Sequence, residues 1–175
     1  MSLPESFTTE RLRAERLARD HSLALEGLHL DPLVMAELGG IRDREKTADY
    51  LARNLLHWSR YGFGVWMLWE LESGEFAGRG LLRHLDLDGA DEVELGFALA
   101  KRFWGRGLAT EIGERCVSMA RNELGLGSLV GVTTLTNHAS QRALAKLGMK
   151  REGEVSFDGT PCLVHRVRLS PRDHL

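Results

Sequence analysis

Val93-Glu94-Leu95-Gly96-Phe97-Ala98-Leu99-Ala100-Lys101-Arg102-Phe103-Trp104-Gly105-Arg106-Gly107-Leu108-Ala109-Thr110-Glu111 is the stretch from which the architecture of this chain can be worked out. Val93 to Ala100 alternates as a strand does, and Leu108, Ile112, Cys116, Met119 and Ala120 recur at helical spacing, predicting a helix from about Gly105 to Glu123. Between strand and helix stands Arg102-x-x-Gly105-x-Gly107. Glycines there let backbone N–H groups close on an anion, and the helix N-terminus adds the positive end of its dipole. A pyrophosphate fits such a loop, with Arg102 and Arg106 adding guanidinium charge; the same residues also read as a plain tight turn.

Working outward, a weak opening strand is predicted over Arg11 to Leu17, with Asp20 as N-cap of a helix from His21 to His29. Asp31-Pro32 reads as N-cap and first helical residue of a helix that Gly39-Gly40 ends. Ala48, Leu51, Ala52, Leu55 and Trp58 mark a helix from about Asp43 to Arg60. Phe63 to Leu71, Phe76 to Leu87 and Val93 to Ala100 form three strands joined by short turns, hence an antiparallel meander. Ser128 to Leu135 is a β-branched strand, Asn137 to Leu147 a helix capped by Gly148, and Arg151 to Phe157 and Cys162 to Leu169 two closing strands. The order implies an α/β sandwich with a mixed sheet, read as one domain over residues 1–175.

Composition narrows the function classes. The 175 residues are 43% hydrophobic and 27% charged, the profile of an ordinary globular chain. A net charge of −2 argues against a nucleic-acid partner, whose phosphates would select a basic surface. The apolar run Val65-Trp66-Met67-Leu68-Trp69 falls far short of the roughly 20 residues that cross a bilayer. Met1 to Asp20 has no apolar segment of a secretory signal, and Cys116 and Cys162 make no disulfide framework, so a reduced, cytoplasmic protein without membrane attachment is expected. The seven histidines show no ligand spacing, and no metal is expected. A P-loop would need Gly-Lys-Ser/Thr, which is absent, and Val130 to Thr134 offers no carboxylate to the ribose of a dinucleotide.

A second informative stretch is Thr136-Asn137-His138-Ala139-Ser140-Gln141-Arg142-Ala143-Leu144-Ala145-Lys146-Leu147-Gly148-Met149, in which Asn137 is a natural N-cap. Together the two stretches resemble the GNAT acetyltransferase superfamily: Arg102-x-x-Gly105-x-Gly107-x-Ala109 resembles its acyl-CoA pyrophosphate loop, and Asn137-x-x-Ser140 with Lys146-Leu147-Gly148-Met149 its second signature helix. Thr8-Thr9-Glu10-Arg11-Leu12 and the tract Glu94 to Glu111 resemble the RimJ/RimL branch, whose known members acetylate N-terminal amines of ribosomal proteins. The resemblance runs from about Thr8 to Leu169.

It implies a mostly antiparallel sheet of about six to seven strands flanked by helices and splayed between the fourth and fifth. It implies acetyl-CoA as cosubstrate and a primary amine as acceptor, either a protein N-terminus or a small molecule, in a monomer or homodimer. Backbone groups of Phe97, Ala98 and Leu99 would pair with the pantetheine arm, and Arg102, Phe103, Trp104, Gly105, Arg106 and Gly107 would cradle the pyrophosphate. Asn137 would hydrogen-bond the cosubstrate or its carbonyl. The chain departs from the many members with a tyrosine at or after the second signature helix, having only Tyr50 and Tyr61, and Ser140 takes the place of proton donor. An acyl-CoA-binding domain without catalysis, acting as sensor or structural partner, is the alternative.

For the base, Glu94 shares a strand face with the small Gly96 and Ala98, which leave room for substrate, and Glu92 on the same face is the reserve. Asp86, Asp88, Asp91, Glu92 and Glu94 crowd one hairpin and either draw a cationic amine to the cleft or form a solvated turn. Trp58, Tyr61, Phe63, Trp66 and Trp69 are expected mainly in the core, with one or two lining the acceptor pocket.

Overall fold

A computed structural model describes residues 1–170; His174, one of the seven histidines, lies outside them. Eight strands form one sheet in the order β1-β2-β3-β4-β5-β6-β8-β7: β1 (Ser6–Thr8), β2 (Leu12–Arg16), β3 (Val65–Glu70), β4 (Phe76–Leu87), β5 (Ala90–Leu99), β6 (Ser128–Thr134), β7 (Lys150–Phe157) and β8 (Thr160–Arg168). Neighbours are antiparallel except β5 and β6, which run parallel because α4 (Leu108–Asn122) crosses between them. The extra strand beyond the expected number is β1, whose three residues pair Phe7 with Ala14 and rest Phe7 edge-on against Trp66. Three residues are too few to show a period in the sequence.

β3 reads as a continuous apolar run because both faces of the sheet are covered. Val65, Met67 and Leu81 pack with Leu25 of α1 (Ser22–Leu30) and Tyr50 of α3 (Arg44–Tyr61), while Trp66, Leu68 and Leu82 pack with Ile112, Cys116 and Met119 of α4. Asp88-Gly89 and Asp158-Gly159 both have positive φ, at 52° and 85° and at 47° and 78°. That conformation matches the twist of the strands it joins, which is why Asp-Gly marks hairpin turns.

Three local readings are corrected. Asp20 lies in a 3-10 turn (Arg19–His21), and α1 starts without a side-chain cap. Asp31 does cap α2 (Pro32–Met35), accepting from the N–H of Leu33 at 2.9 Å, but that helix stops at Met35 rather than at Gly39. The backbone of Gly40 folds back instead to donate to Met35 O at 2.9 Å, leaving residues 36–42 irregular. On α3 the buried stripe is Thr47, Tyr50, Asn54 and Trp58, while Ala48 and Ala52 face outward. Leu51, Leu55 and Trp58 do pack inward as the spacing predicts, but the stripe also takes in polar side chains that find partners inside, Thr47 on His29 and Asn54 on the Tyr50 carbonyl.

Candidate functional site

β5 and β6 touch through one parallel bridge, Glu94 to Val130, and diverge beyond it. The divergence leaves one edge of β5 without a β partner from Leu95 to Leu99, while β4 covers the other edge from Leu87 to Gly78. Trp104 Nε1 donates to Leu99 O at 2.8 Å from the open side. Since successive backbone groups alternate in direction, Phe97 presents its N–H and C=O at this open edge and Ala98 turns toward β4. A Cβ on Gly78 of β4 would lie 2.1 Å from Ala98 O, the same geometry seen from the other strand. Of the three residues expected to pair with a pantetheine arm, Phe97 and Leu99 are therefore at the edge, whereas Ala98 contributes its side chain to the wall.

A cavity of about 630 Å³ opens there, lined by Phe97, Leu99, Phe103, Trp104, Gly105 and Gly107 among others. Gly105 and Gly107 have φ of 72° and 77°, left-handed geometry that suits glycine, and Gly107 begins α4 with no side-chain cap. The first amides of α4, at Leu108, Ala109 and Thr110, thus have neither an intrahelical partner nor a side-chain cap, and these residues line the cavity. Behind the loop, Arg11 Nη1 donates to Arg106 O at 2.7 Å and Arg11 Nε to Glu111 at 2.8 Å. Glu111 also accepts from Thr9 Oγ1 and the Arg11 N–H, each at 2.7 Å. Burial pushes the Glu111 carboxyl up, but these hydrogen bonds outweigh it and hold it below the usual range. The Thr9–Arg11 turn is therefore a brace for the loop.

The guanidinium groups of Arg102 and Arg106 are not turned into the cavity as expected. Arg102 bonds Glu75 at 3.0 Å and Arg106 pairs with Glu70, both lying over the Phe103 ring. Positive charge is supplied instead by Arg142 and Lys146, which line the cavity from one face of α5 (His138–Lys146) with no acidic partner among the described residues. Spacing i, i+4 on the second stretch was the signal for them.

A second cavity of about 450 Å³ adjoins the first; Glu37, Phe97, Asn137 and Ser140 line both. Asn137 caps α5 as expected, its Oδ1 accepting from the Ser140 N–H at 3.2 Å, which leaves its amide NH2 available. Glu37, on the irregular segment after α2, accepts from Thr136 Oγ1 at 3.0 Å and from Thr134 Oγ1, tying that segment to the end of β6. Glu94 lines the second cavity with a side chain 13% exposed; Oε2 accepts from Arg83 Nε at 3.0 Å and Oε1 has no partner among the described residues. Burial works to lower the Arg83 pKa, but Glu94 overcomes it and the net displacement is upward, so Arg83 stays charged.

Glu92, the reserve candidate for the base, is engaged by another strand. Both of its oxygens are taken by Arg166, at 2.8 and 3.0 Å, and this pairing holds its carboxyl below the usual range. Two other hairpin acids are similarly engaged: Asp91 bonds His84 at 2.9 Å and Asp86 caps the Gly89 N–H at 2.8 Å. None of the five aromatic residues expected in the core or the acceptor pocket lines either cavity; Tyr50 of α3 does, together with Arg42, Arg79 and Arg83. His29, buried beneath Arg42, is pushed down to about 3 by burial and by the charges of Arg79 and Arg42. Its neutral ring accepts from Arg42 at Nε2 (3.3 Å) and so donates from Nδ1 to Thr47 Oγ1 (3.0 Å). Two arginines four residues apart, Arg79 and Arg83, on either side of Gly80-Leu81-Leu82, were the available sequence signal.

Residues 11–150 match the acetyltransferase (GNAT) domain family. The chain is 31% identical over 150 residues to the FsC-acetyl coenzyme A-N(2)-transacetylase of Aspergillus fumigatus, spanning 81% of this chain and 63% of that protein's length, just under two-thirds. Its fold superposes on an acetyltransferase from Agrobacterium tumefaciens with a TM-score of 0.82 at 27% identity, over 95% of each chain. It also superposes on RimL, a ribosomal L7/L12 α-N-protein acetyltransferase in complex with coenzyme A, with a TM-score of 0.78 over 94% of this chain and 98% of that one; at 16% identity this likeness concerns the fold alone. With a splayed sheet, a glycine loop opening α4 and a family match over most of its length, the chain belongs to the GNAT family of acetyl-CoA-dependent N-acetyltransferases.

Proposed function

We propose that the protein transfers an acetyl group directly from acetyl-CoA to a primary amine, with Glu94 as base and Ser140 as proton donor to the leaving thiolate. The observation that carries this is the meeting of the two cavities at Phe97, Asn137 and Ser140, with Glu94 on the far side of the junction from the glycine loop. The amides at the start of α4, the open edge of β5 and the cations Arg142 and Lys146 fit a pyrophosphate, a pantetheine amide and further phosphate charge respectively. Acetyl-CoA, when bound, supplies the activated acyl carbon. Glu94 Oε1 takes a proton from the incoming ammonium, directly or through water; the freed nitrogen attacks the thioester carbon, sheds its second proton to solvent, and the C–S bond breaks. Asn137 Nδ2 orients the carbonyl, and Ser140 Oγ gives its proton to the sulfur and regains one from solvent.

The acceptor is read as a peptide N-terminus or a small amine. A RimJ/RimL-type assignment draws support from Thr9 and Arg11, which meet Glu111 behind the loop, so the two tracts that carried that resemblance form one assembly. Among the described residues no helix is long and apolar enough to cross a membrane. Cys116 and Cys162 are buried as free thiols, which suits a reduced, cytoplasmic setting. Thiol release from acetyl-CoA across N-terminal peptides, polyamines, amino acids and aminoglycosides tests the proposal. Turnover of one class confirms transfer and names the acceptor; binding of acetyl-CoA without turnover of any class replaces it by an acyl-CoA-binding role.

A further inference from the structure

Three arginines and three acids (Glu37, Glu94 and the exposed turn residue Asp158) line the acceptor cavity, yet only one pair of them is joined as an ion pair. Arg42, Arg79 and Arg83 line it, and Glu94 is paired only with Arg83. Glu37 is held by two threonine hydroxyls, and no carboxylate among the described residues pairs with Arg42 or Arg79. Arg79 is 5% exposed, yet its Nε has no hydrogen-bond partner. The guanidinium groups of Arg42 and Arg79 lie over the ring of Tyr50, 5.1 and 4.9 Å from its centroid, and the buried Tyr50 hydroxyl also lacks a partner. So does Thr133 Oγ1. Thus three of the five buried side-chain polar atoms left without partners among the described residues, Tyr50 OH, Arg79 Nε and Thr133 Oγ1, belong to residues that line this one cavity.

Buried donors are almost always satisfied, and an orphaned guanidinium N–H is costly. Two guanidinium groups brought together around one phenol, neither paired with a carboxylate among the described residues, form a fork-shaped receptor for an oxyanion. Burial first, and then the nearby charge of Arg79, lowers Arg42 to about 10. We propose that Arg42, Arg79 and Tyr50 form an anion subsite that binds a carboxylate or phosphate carried by the acceptor, so that the substrate is an amine with an acidic group rather than a polyamine. This assignment deepens the acetyl-transfer function proposed above and rests on it for the amine, though not for the anion.

Two measurements separate those dependencies. Protein saturated with CoA, which occupies the glycine loop, is titrated with inorganic phosphate and with succinate at constant ionic strength, following the thermal midpoint. Wild type should show a saturable rise, weakened about tenfold or more in Arg79→Gln and in Arg42→Gln; Arg42 is only partly buried, so its variant remains informative if Arg79→Gln does not fold. In parallel, thiol release is compared for amino acids against their amides and for phosphoethanolamine against ethanolamine. A preference of about tenfold or more for the anionic member supports the subsite, and the favoured pair distinguishes carboxylate from phosphate. Variant-sensitive anion binding without turnover of any amine upholds the subsite and refutes acetyl transfer. Equal anion binding by wild type and both variants, or neutral amines turned over as well as their anionic partners, overturns the inference.

Discussion

Replacing Glu94 by glutamine isolates the proton-accepting oxygen. The contact to Arg83 is a single 3.0 Å hydrogen bond between side chains 13% and 30% exposed, and the glutamine carbonyl can still accept it. What is lost is charge: a charge-assisted bond becomes a neutral one and Arg83 keeps an uncompensated cation, a stability cost of about 1–3 kcal/mol. The catalytic loss is larger, about 10²- to 10⁴-fold in kcat, the usual contribution of a positioned base. Acetyl-CoA affinity should hold, because Glu94 lines only the acceptor cavity. The assay is steady-state thiol release over pH 6 to 9 (about three units spanning amine deprotonation) with calorimetry of acetyl-CoA binding alongside. Glu94→Gln combined with Arg83→Met separates the two effects, because stability recovers while kcat stays low. A kcat within about threefold of wild type, with a superimposable pH–rate profile, would refute the assignment of Glu94 as base.

Three further outcomes are expected. Arg11→Ala removes the brace on the Arg106 carbonyl and should weaken acetyl-CoA binding about fivefold, one lost hydrogen bond, in calorimetry; an unchanged Kd removes Arg11 from the positioning of the loop. Gly78→Ala drives a Cβ to 2.1 Å from Ala98 O at a φ of 144°, and the β4–β5 ladder should lose on the order of 3 kcal/mol or fail to form; near-native urea stability would contradict the pairing of Gly78 with Leu99. His29 bears on acid stability. Its folded pKa of about 3 lies below the ordinary 6.5, so between those values the unfolded chain binds the extra proton and stability falls as pH falls, by at most about 1.4 kcal/mol per pH unit. Calorimetric midpoints should decline over that window and decline less steeply in His29→Gln; equal slopes would show that His29 is not responsible.

Local chemistry in the sequence was enough for much of the frame. Asp31 and Asn137 cap helices because their short side chains reach the backbone N–H groups two or three residues ahead. Gly105 and Gly107 make the tight strand-to-helix loop read for them, both at positive φ, and a short turn joins β4 to β5 as expected. Such features depend on neighbours a few residues away, so they survive without knowledge of the rest of the chain. The misreadings share the opposite character. Arg102 and Arg106 were assigned to the cavity by position, but Glu75 and Glu70 claim them from the β3–β4 hairpin. Glu92 and Glu94 look alike two residues apart; only the fold sets Arg166 of β8 against one and Arg83 of β4 against the other.

The acceptor cavity is the furthest case. Arg42, Tyr50, Arg79 and Thr133 come from a loop, a helix and two strands, and nothing in the spacing of the four along the chain connects them. Periodicity tells which side of an element is covered, and local polar chemistry tells where it starts and stops. Which charge meets which counter-charge, and which buried donor is left without one, depends on packing between elements distant in sequence, and that was decided by the tertiary structure alone.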